Sequence, residues 1–210
     1  MNKLGDLSCN EFLTELASAA PAPGGGGGAA MAGALAAALA SMVANLTIGK
    51  EKFADREPEV KELLEQAEAE RVRLLTLVDE DAVVFNSFMS CYKLPKTTDE
   101  EKAARTAAIR AAAKQAATVP LNIARSSFAV LKLADRLVVA GNPGVITDGA
   151  CSGLLARAAL RCAEYNVRIN LGLTKDEVWN AQAAADLKKL LADAEALETR
   201  LLAVTDKALQ

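Results

Sequence analysis

An acidic residue, Asp81, lies among apolar residues in a segment with helical spacing. Side chains three, four or seven positions apart share one face of a helix, so Asp81 falls on the same face as Leu74 and Phe85. Burial there would raise the pKa of its carboxyl group, which suits a general acid or base, and the chain has no histidine for that work. The alternative is that Asp81 forms a solvated acidic turn with Asp79 and Glu80.

A run of five glycines leads into an uncharged segment, residues 29–48, that is predicted to be a helix. Ordered glycine costs about 0.5–1 kcal/mol relative to alanine, so such a run is expected where side chains would obstruct a ligand or another backbone. The bare N–H groups of a helix start favour carbonyl, phosphate or carboxylate groups. The alternatives are a flexible tether or a tight corner between packed helices. The run consists of Gly24, Gly25, Gly26, Gly27 and Gly28.

Four further polar residues are candidates for binding a ligand. Asn142 and Asp148 lie at a turn and a predicted helix start, while Asn166 and Asn170 are one helical turn apart on one face. Buried amides need partners, and a heteroaromatic ring with N–H and carbonyl groups would supply them. The alternative is that each residue is a helix cap or a core polar group that is satisfied within the protein.

A basic cluster lies at the end of the predicted third helix. It is formed by Lys93 and Lys96, next to Tyr92. Such a cluster can hold a carboxylate tail, and Lys93 is the candidate for that role. The alternative is that these side chains form the solvated end of a helix.

The composition predicts the elements that position these residues. Alanine, the best helix former, is abundant, aromatic residues make up only 4% of the chain, and runs of β-branched residues are rare. Ser8 with Glu11, Thr98 with Glu101, and Thr174 with Glu177 have capping-box spacing. Without a linker in the sequence, we expect residues 1–210 to form one all-α domain, a bundle of long antiparallel helices. The predicted helices span residues 8–20, 29–48, 58–89, 98–117, 121–140, 148–170 and 174 to the C-terminal end, with Pro120 marking either a kink or a boundary.

Charge and cysteine content exclude several classes of protein. The net charge of −3 is spread over segments of mixed sign, so nucleic acid is not an expected partner. Residues 16–49 carry no charge, but they are rich in Ala and Gly and are interrupted by prolines, so we interpret the segment as a buried helix rather than a membrane span. The N-terminal residues lack the pattern of a secretory signal, and a cytoplasmic location is expected. Four cysteines without CxxC spacing are expected to be buried thiols, with no metal site: Cys9, Cys91, Cys151 and Cys162.

Several segments, in their order and spacing, resemble the cyclodeaminase/cyclohydrolase family. This family comprises the C-terminal half of formimidoyltransferase-cyclodeaminase and the free-standing bacterial methenyltetrahydrofolate cyclohydrolases. The resemblance extends through nearly the whole chain. It rests on residues 12–18, 21–26, 42–47, 79–81 with Phe85, 93–96, 141–142 with 147–148, and 166–171.

The resemblance implies an all-helical homodimer that acts on a folate, with Asp81 at the position of the family's catalytic aspartate. Two positions depart from the family pattern, which often has serine where this chain has Gly27 and Thr147. Thr147 keeps the hydroxyl group, whereas Gly27 does not. If that hydroxyl binds the substrate, another group or a water molecule must replace it here.

The leading hypothesis is hydrolysis of 5,10-methenyltetrahydrofolate to 10-formyltetrahydrofolate, in one-carbon metabolism. Asp81 would activate water and return the proton to the departing ring nitrogen, and no prosthetic group is expected beside the tetrahydrofolate substrate. One alternative is a cyclodeaminase that releases ammonia from 5-formimidoyltetrahydrofolate at the same site. Another is a non-catalytic helical dimer. The Gly24 to Gly27 backbone is expected to contact the pterin or the developing charge. Asp148, Asn166 and Asn170 are expected to contact the pterin edge, and Lys93 the glutamate tail. Asn142 is a further expected substrate-binding residue.

Overall fold

The computed structural model describes residues 3–210. This part of the chain contains six α-helices and three short 3-10 helices, and no β-strand. The all-α prediction is therefore confirmed. The helices are α1 (Cys9–Leu16), α2 (Gly25–Asn45), α3 (Glu57–Cys91), α4 (Asp99–Ala140), α5 (Ile146–Thr174) and α6 (Glu177–Ala208).

Helix α2 lies at the centre of the domain and packs against α3, α4 and α5. Small residues recur along its buried faces, where a Cβ on Gly33 would lie 3.0 Å from both Leu74 Cδ2 and Ser127 Oγ. The absence of that carbon lets α3 and α4 approach closely. By length and composition α2 could cross a membrane, but 61% of its most apolar window is buried inside the protein. This burial agrees with the core helix expected from the sequence.

Local capping signals predicted two helix starts correctly. Ser8 with Glu11 and Thr98 with Glu101 form complete capping boxes at the starts of α1 and α4. Helix α1 ends at Leu16 rather than near residue 20, because the Ser18 hydroxyl donates to the carbonyl of Glu15 and so competes with the helical pattern.

The starts of the last two helices differ from the sequence-based expectation. Asp148 lies in the first turn of α5 and does not cap it, although its charge there still complements the helix dipole. Thr174 is the last residue of α5, and Asp176 caps α6 by accepting from the Trp179 N–H at 3.0 Å. Both corrections follow from short connections, whose polar residues have several backbone groups within reach.

Residues 99–140 form a single helix rather than two. Pro120 lies inside α4, where proline supplies no N–H to the carbonyl four residues earlier. That carbonyl, on Ala116, accepts instead from Asn170 Nδ2 at 2.9 Å. The contact with α5 therefore satisfies the group that proline leaves unpaired.

The four cysteines are free, and the expectation that they are buried is wrong. Cys9, Cys151 and Cys162 are exposed, and Cys91 is half-buried. They lie on outward faces of their helices, which the short-range apolar pattern around them does not reveal. Within residues 3–210, no group of three or more His, Cys, Asp or Glu side chains is arranged to hold a metal ion.

Candidate active site

The glycine run forms the first turn of α2. Gly24 is the N-cap in an extended conformation, and the first helical hydrogen bond runs from the Gly28 N–H to the Gly24 carbonyl at 2.9 Å. The prediction of a helix start at Ala29 is therefore wrong, because tertiary contacts outweigh the low helix propensity of glycine. The tether alternative is excluded, since these residues are helical. The N–H groups of the first turn, on Gly25, Gly26 and Gly27, have no partner within the helix.

Asp81, on α3, packs directly against this turn. A Cβ on Gly26 would lie 2.6 Å from Asp81 Cγ, a distance that no real side chain tolerates. A Cβ on Gly27 would lie 3.9 Å from Asp81 Oδ2. The carboxylate therefore occupies the space that a side chain at position 26 would need, which accounts for a glycine there.

The three neighbouring acids of α3 have three different environments. Asp79 accepts hydrogen bonds from the backbone N–H groups of Leu4 and Gly5, at 2.5 and 3.4 Å. Glu80 is exposed, whereas Asp81 is half-buried and faces α2. The alternative in which all three form one solvated turn is therefore wrong.

A cavity of about 290 Å³ opens beside the Asp81 carboxylate. Apart from Asp81, its walls on α3 and α4 are apolar, and its other polar groups come from the α2 start and from α5. Six of the predicted site residues line it: Gly24, Gly25, Gly26, Asp81, Asn166 and Asn170. The other lining residues are Pro21, Ala22, Val84, Phe85, Phe88, Ala116, Val119, Pro120, Ile169 and Leu173.

Two opposing effects set the acidity of Asp81. Burial, the larger effect, raises the pKa of its carboxyl group, because the charged form loses hydration. The backbone N–H of Gly27 lowers the pKa, because it stabilises the carboxylate. The net pKa lies above the ordinary value for aspartate, which makes the carboxylate a stronger base than an exposed aspartate and suits a group that must both accept and return a proton.

Two asparagines of α5 line the cavity. Asn170 Nδ2 donates to the carbonyls of Ala116 and Asn166, at 2.9 and 2.8 Å, which fixes the amide orientation. Asn166 Nδ2 donates to the carbonyl of Cys162 at 3.0 Å, and its amide lies against Gly25. Asn170 uses both of its N–H donors on backbone carbonyls, which leaves its side-chain oxygen to accept from a ligand, whereas Asn166 keeps one N–H donor as well as its oxygen. With Asp81, they suit a flat ring whose edge carries N–H groups.

Two predicted binding residues lie far from this cavity. Asn142 follows α4 and holds the other end of α2, with its Nδ2 donating to the Leu46 carbonyl at 3.1 Å. Since α2 has 21 residues, that end is ~30 Å from the glycine turn. Asp148 precedes Asn166 by 18 positions on α5, or ~27 Å along the helix. Neither lines the cavity, and their role in substrate binding stays a prediction.

Lys93 also lies outside the cavity lining. It is exposed just after α3, where its backbone N–H donates to the Ser90 carbonyl at 3.0 Å. Its predicted contact with a glutamate tail stays a prediction.

The apolar walls are the part of the cavity that sequence reasoning missed. Phe88, Ala116 and Ile169 have the spacing of ordinary core residues, and nothing local separates a cavity wall from a packed core. Pro120 did carry a signal, because a proline inside a helical pattern leaves one carbonyl for a partner outside the helix.

Comparisons with known proteins identify relatives along nearly the whole chain. Residues 8–189 match the family described as formiminotransferase-cyclodeaminase. A methenyltetrahydrofolate cyclohydrolase from Methylorubrum extorquens is 44% identical over 94% of this chain and 95% of its own length. A formimidoyltransferase-cyclodeaminase from Sus scrofa is 33% identical over 88% of this chain, which spans only 34% of that longer protein.

The fold also matches a solved structure. The crystal structure of formiminotetrahydrofolate cyclodeaminase from Thermotoga maritima superposes with a TM-score of 0.88 and 30% identity, and the match covers 98% of each chain. A similarity of this extent covers all six helices and the cavity between them.

Proposed function

The chain belongs to the formiminotransferase-cyclodeaminase family, and from that premise we propose that it hydrolyses 5,10-methenyltetrahydrofolate to 10-formyltetrahydrofolate. The observation that carries this proposal is the Asp81 carboxyl group, which lies in a small cavity against the bare N–H groups of α2 with a raised pKa. The relatives of this chain are named as enzymes that act on folates, which favours an enzyme over the non-catalytic helical dimer.

The first step is the addition of water to the amidinium carbon between N5 and N10. Ionised Asp81 accepts a proton from the attacking water, a C–O bond forms, and the positive charge of the amidinium is lost. The Asp81 carboxylate also attracts the cationic substrate. Its pKa must therefore be high enough for it to act as a base, but low enough that the group stays ionised before the reaction. The Gly27 N–H provides that balance by opposing the effect of burial.

The second step opens the ring. Asp81 returns its proton to N5, the bond from the carbon to N5 breaks, and the hydroxyl oxygen becomes the formyl carbonyl as its proton leaves to solvent. In this proposal the N–H groups of Gly25 and Gly26 donate to the developing formyl oxygen, since helix N-termini favour such charge. The side-chain oxygens of Asn166 and Asn170 accept from the N–H edge of the pterin.

The alternative reaction is the release of ammonia from 5-formimidoyltetrahydrofolate. It would use the same carboxyl group to protonate the leaving amine, and two relatives are named for it. The higher identity to the cyclohydrolase, 44% against 33% and 30%, favours hydrolysis. Purified protein should consume the methenyl compound, followed by its absorbance. Ammonia release from the formimidoyl compound at a greater kcat/KM would reverse the assignment.

Replacing Asp81 with asparagine tests the catalytic role. Asp81→Asn is expected to lower kcat by about 10²–10⁴-fold, the usual contribution of a positioned acid–base group. The melting temperature is not expected to fall, because the amide removes a charge that burial disfavours. Turnover and thermal unfolding measured on one preparation check both statements. A variant with the normal rate would refute the role of Asp81.

We also propose that the protein is a homodimer of antiparallel helices in the cytoplasm, without a prosthetic group. Contacts between α2 and α5 support the antiparallel arrangement, since Ser152 bonds the carbonyl of Ala36 while Asn166 meets Gly25. The four free thiols suit a reducing compartment. The proposed chemistry requires only water, substrate and a carboxyl group.

A further inference from the structure

The cavity beside Asp81 is smaller than the substrate that the proposed function requires. Its volume, about 290 Å³, lies at the lower end of the range for small-molecule pockets. It matches the bicyclic pterin with its reacting carbon rather than a whole folate, whose benzoyl ring and glutamate extend further. The tail must therefore leave the cavity and contact the surface beyond it.

Aromatic side chains on α3 continue outwards from the cavity. Phe88 forms part of the wall and is almost fully buried, and its ring meets that of Tyr92 edge to face, with centroids 5.3 Å apart. Tyr92 follows Asp81 by 11 positions, or ~16 Å along the helix axis. A benzoyl ring leaving the cavity along this wall would bring the glutamate to the level of Tyr92.

Arg105, on the second turn of α4, is fixed at that level. Its guanidinium lies over the Tyr92 ring, with Cζ 5.5 Å from the centroid, and its Nη2 donates to the Tyr92 carbonyl at 3.2 Å. Stacking and this hydrogen bond hold the planar group in one orientation, which suits a carboxylate ligand.

The guanidinium is otherwise unpaired within residues 3–210. It has no carboxylate within ion-pair distance, and its Nε is buried without a hydrogen-bond partner. The acid one turn earlier, Glu101, is occupied by the backbone N–H groups of Thr97 and Thr98. A guanidinium held in one orientation gains most from a planar bidentate anion, and the described residues supply none to Arg105.

We propose that Arg105 binds a carboxylate of the glutamate tail of the folate substrate. Phe88 and Tyr92 form the wall along which the tail leaves the cavity. This inference rests on the proposed function, from which the tail follows. It differs from the expectation for Lys93, whose flexible side chain lies in solvent after the same helix end. Only the guanidinium is oriented by contacts with the wall itself.

The experiment compares two substrates with two variants. The substrates are 5,10-methenyltetrahydrofolate and the matched compound in which both glutamate carboxylates are carboxamides. Arg105→Met removes the charge but keeps an apolar stem over Tyr92. Arg110→Met is the matched control, because Arg110 is exposed on the same helix. Arg105→Lys keeps the charge without the planar group, and thermal unfolding checks that each variant is folded.

Arg105→Met is expected to raise KM for the natural substrate about 10- to 100-fold, as for a lost hydrogen bond between charged groups, with kcat within two-fold of the parent. KM for the diamide should be the same in the parent and in this variant, and Arg110→Met should change neither value. KM for Arg105→Lys should lie between the values of the parent and Arg105→Met, because lysine keeps the charge. If Arg105→Met raises KM equally for both substrates, or raises it no more than Arg110→Met does, the inference is overturned while the proposed hydrolysis still stands.

Equilibrium binding separates this inference from the reaction itself. The dissociation constants of 5-formyltetrahydrofolate and its diamide are measured by calorimetry in the parent and in Arg105→Met. If the parent binds the carboxylate compound more tightly than the diamide, and Arg105→Met loses that difference, the tail site is supported. This holds even if the parent fails to hydrolyse the methenyl compound. A parent that binds neither compound would overturn both proposals.

Discussion

Asp81 and Gly26 occupy adjoining space, and each constrains the other. The carboxylate lies where a Cβ at position 26 would be, so α2 can begin beside it only as bare backbone. This contact brings the acid within reach of the Gly27 N–H, which opposes the effect of burial on its pKa. The other glycines of the run are not equivalent. A Cβ on Gly28 would meet only Leu16 Cδ2, at an ordinary 3.9 Å.

This difference predicts opposite effects of the same substitution. Gly26→Ala should displace the carboxylate and lower kcat by about 10²-fold, the cost of a misplacement near 1 Å. Gly28→Ala should keep the activity and stabilise α2 by about 0.5–1 kcal/mol, because alanine replaces glycine in a helix. Steady-state rates and denaturant unfolding of both variants check this. Equal loss of activity in the two variants would contradict the proposed role of position 26.

Position 27 tunes the acidity of Asp81. A Cβ there lies 3.9 Å from Asp81 Oδ2, so the hydroxyl of Gly27→Ser can donate to the carboxylate after a small shift away from Pro23 Cβ, 3.3 Å away. Such a bond favours the ionised form and lowers the pKa, which burial has raised. Because the ionised form is the active base, the acid limb of the kcat profile should move to lower pH.

Gly27→Ala is the control for that prediction, since it adds the same carbon without the hydroxyl. Its acid limb should stay where the parent has it. A shift of equal size in both variants, measured over the same pH range, would assign the effect to packing rather than to hydrogen bonding.

At the scale of elements, α4 and α5 cooperate through a proline. Pro120 leaves the Ala116 carbonyl without a helical donor, and Asn170 supplies one from α5. The same amide also donates to the Asn166 carbonyl, so both of its N–H groups are used and the orientation of this cavity-lining side chain is fixed. An interruption in one helix thus orients a polar group on another.

Restoring the helical donor should disturb this arrangement. In Pro120→Ala the new N–H competes with Asn170 for the Ala116 carbonyl, and KM should rise about 5- to 10-fold, as for one hydrogen bond. In an Asn170→Ala background, Pro120→Ala should have no further effect on KM, because the two residues act as one unit. Additive effects in the double variant would refute the coupling.

At the scale of the whole molecule, α2 is only partly covered. Its outward face is apolar and uncharged. Leu35 and Met42 on this face are 51% and 38% exposed, and Leu46, just after the helix, is 39% exposed. This face continues into an apolar groove of about 530 Å³ between α1 and α2, where Leu13 is also exposed. A monomer rarely leaves such a continuous apolar surface in water, and a second copy presenting the same face would cover it.

The proposed dimer is therefore expected to break when a charge is placed on this face. Leu35→Glu should convert the protein to monomers in sedimentation experiments, because it buries an unpaired carboxylate in the interface. Val72→Glu is the matched control, since Val72 is 56% exposed but lies on α3. Dimers that survive Leu35→Glu, or that dissociate equally with Val72→Glu, would contradict this interface.

The sequence predicted the helical content and the capping boxes of α1 and α4. It also singled out the glycine run and Asp81 as candidate site residues, and the structure brings them together at one cavity. These features depend on residues within one or two helical turns of each other, where spacing alone decides which groups meet. The glycines and the lone acid among apolar residues also break local rules, and such breaks mark sites where another requirement is stronger.

Contacts between distant segments determined the remaining helix limits and the partners of the polar side chains. The sequence did not reveal that α2 begins at Gly25, that α4 continues through Pro120, or that Asp79 turns to the backbone of Leu4 while Asp81 turns to α2. It also did not reveal that Asn142 lies at the far end of α2. Each outcome depends on which partner a side chain or carbonyl meets across the core, and only packing of the whole chain brings those partners together.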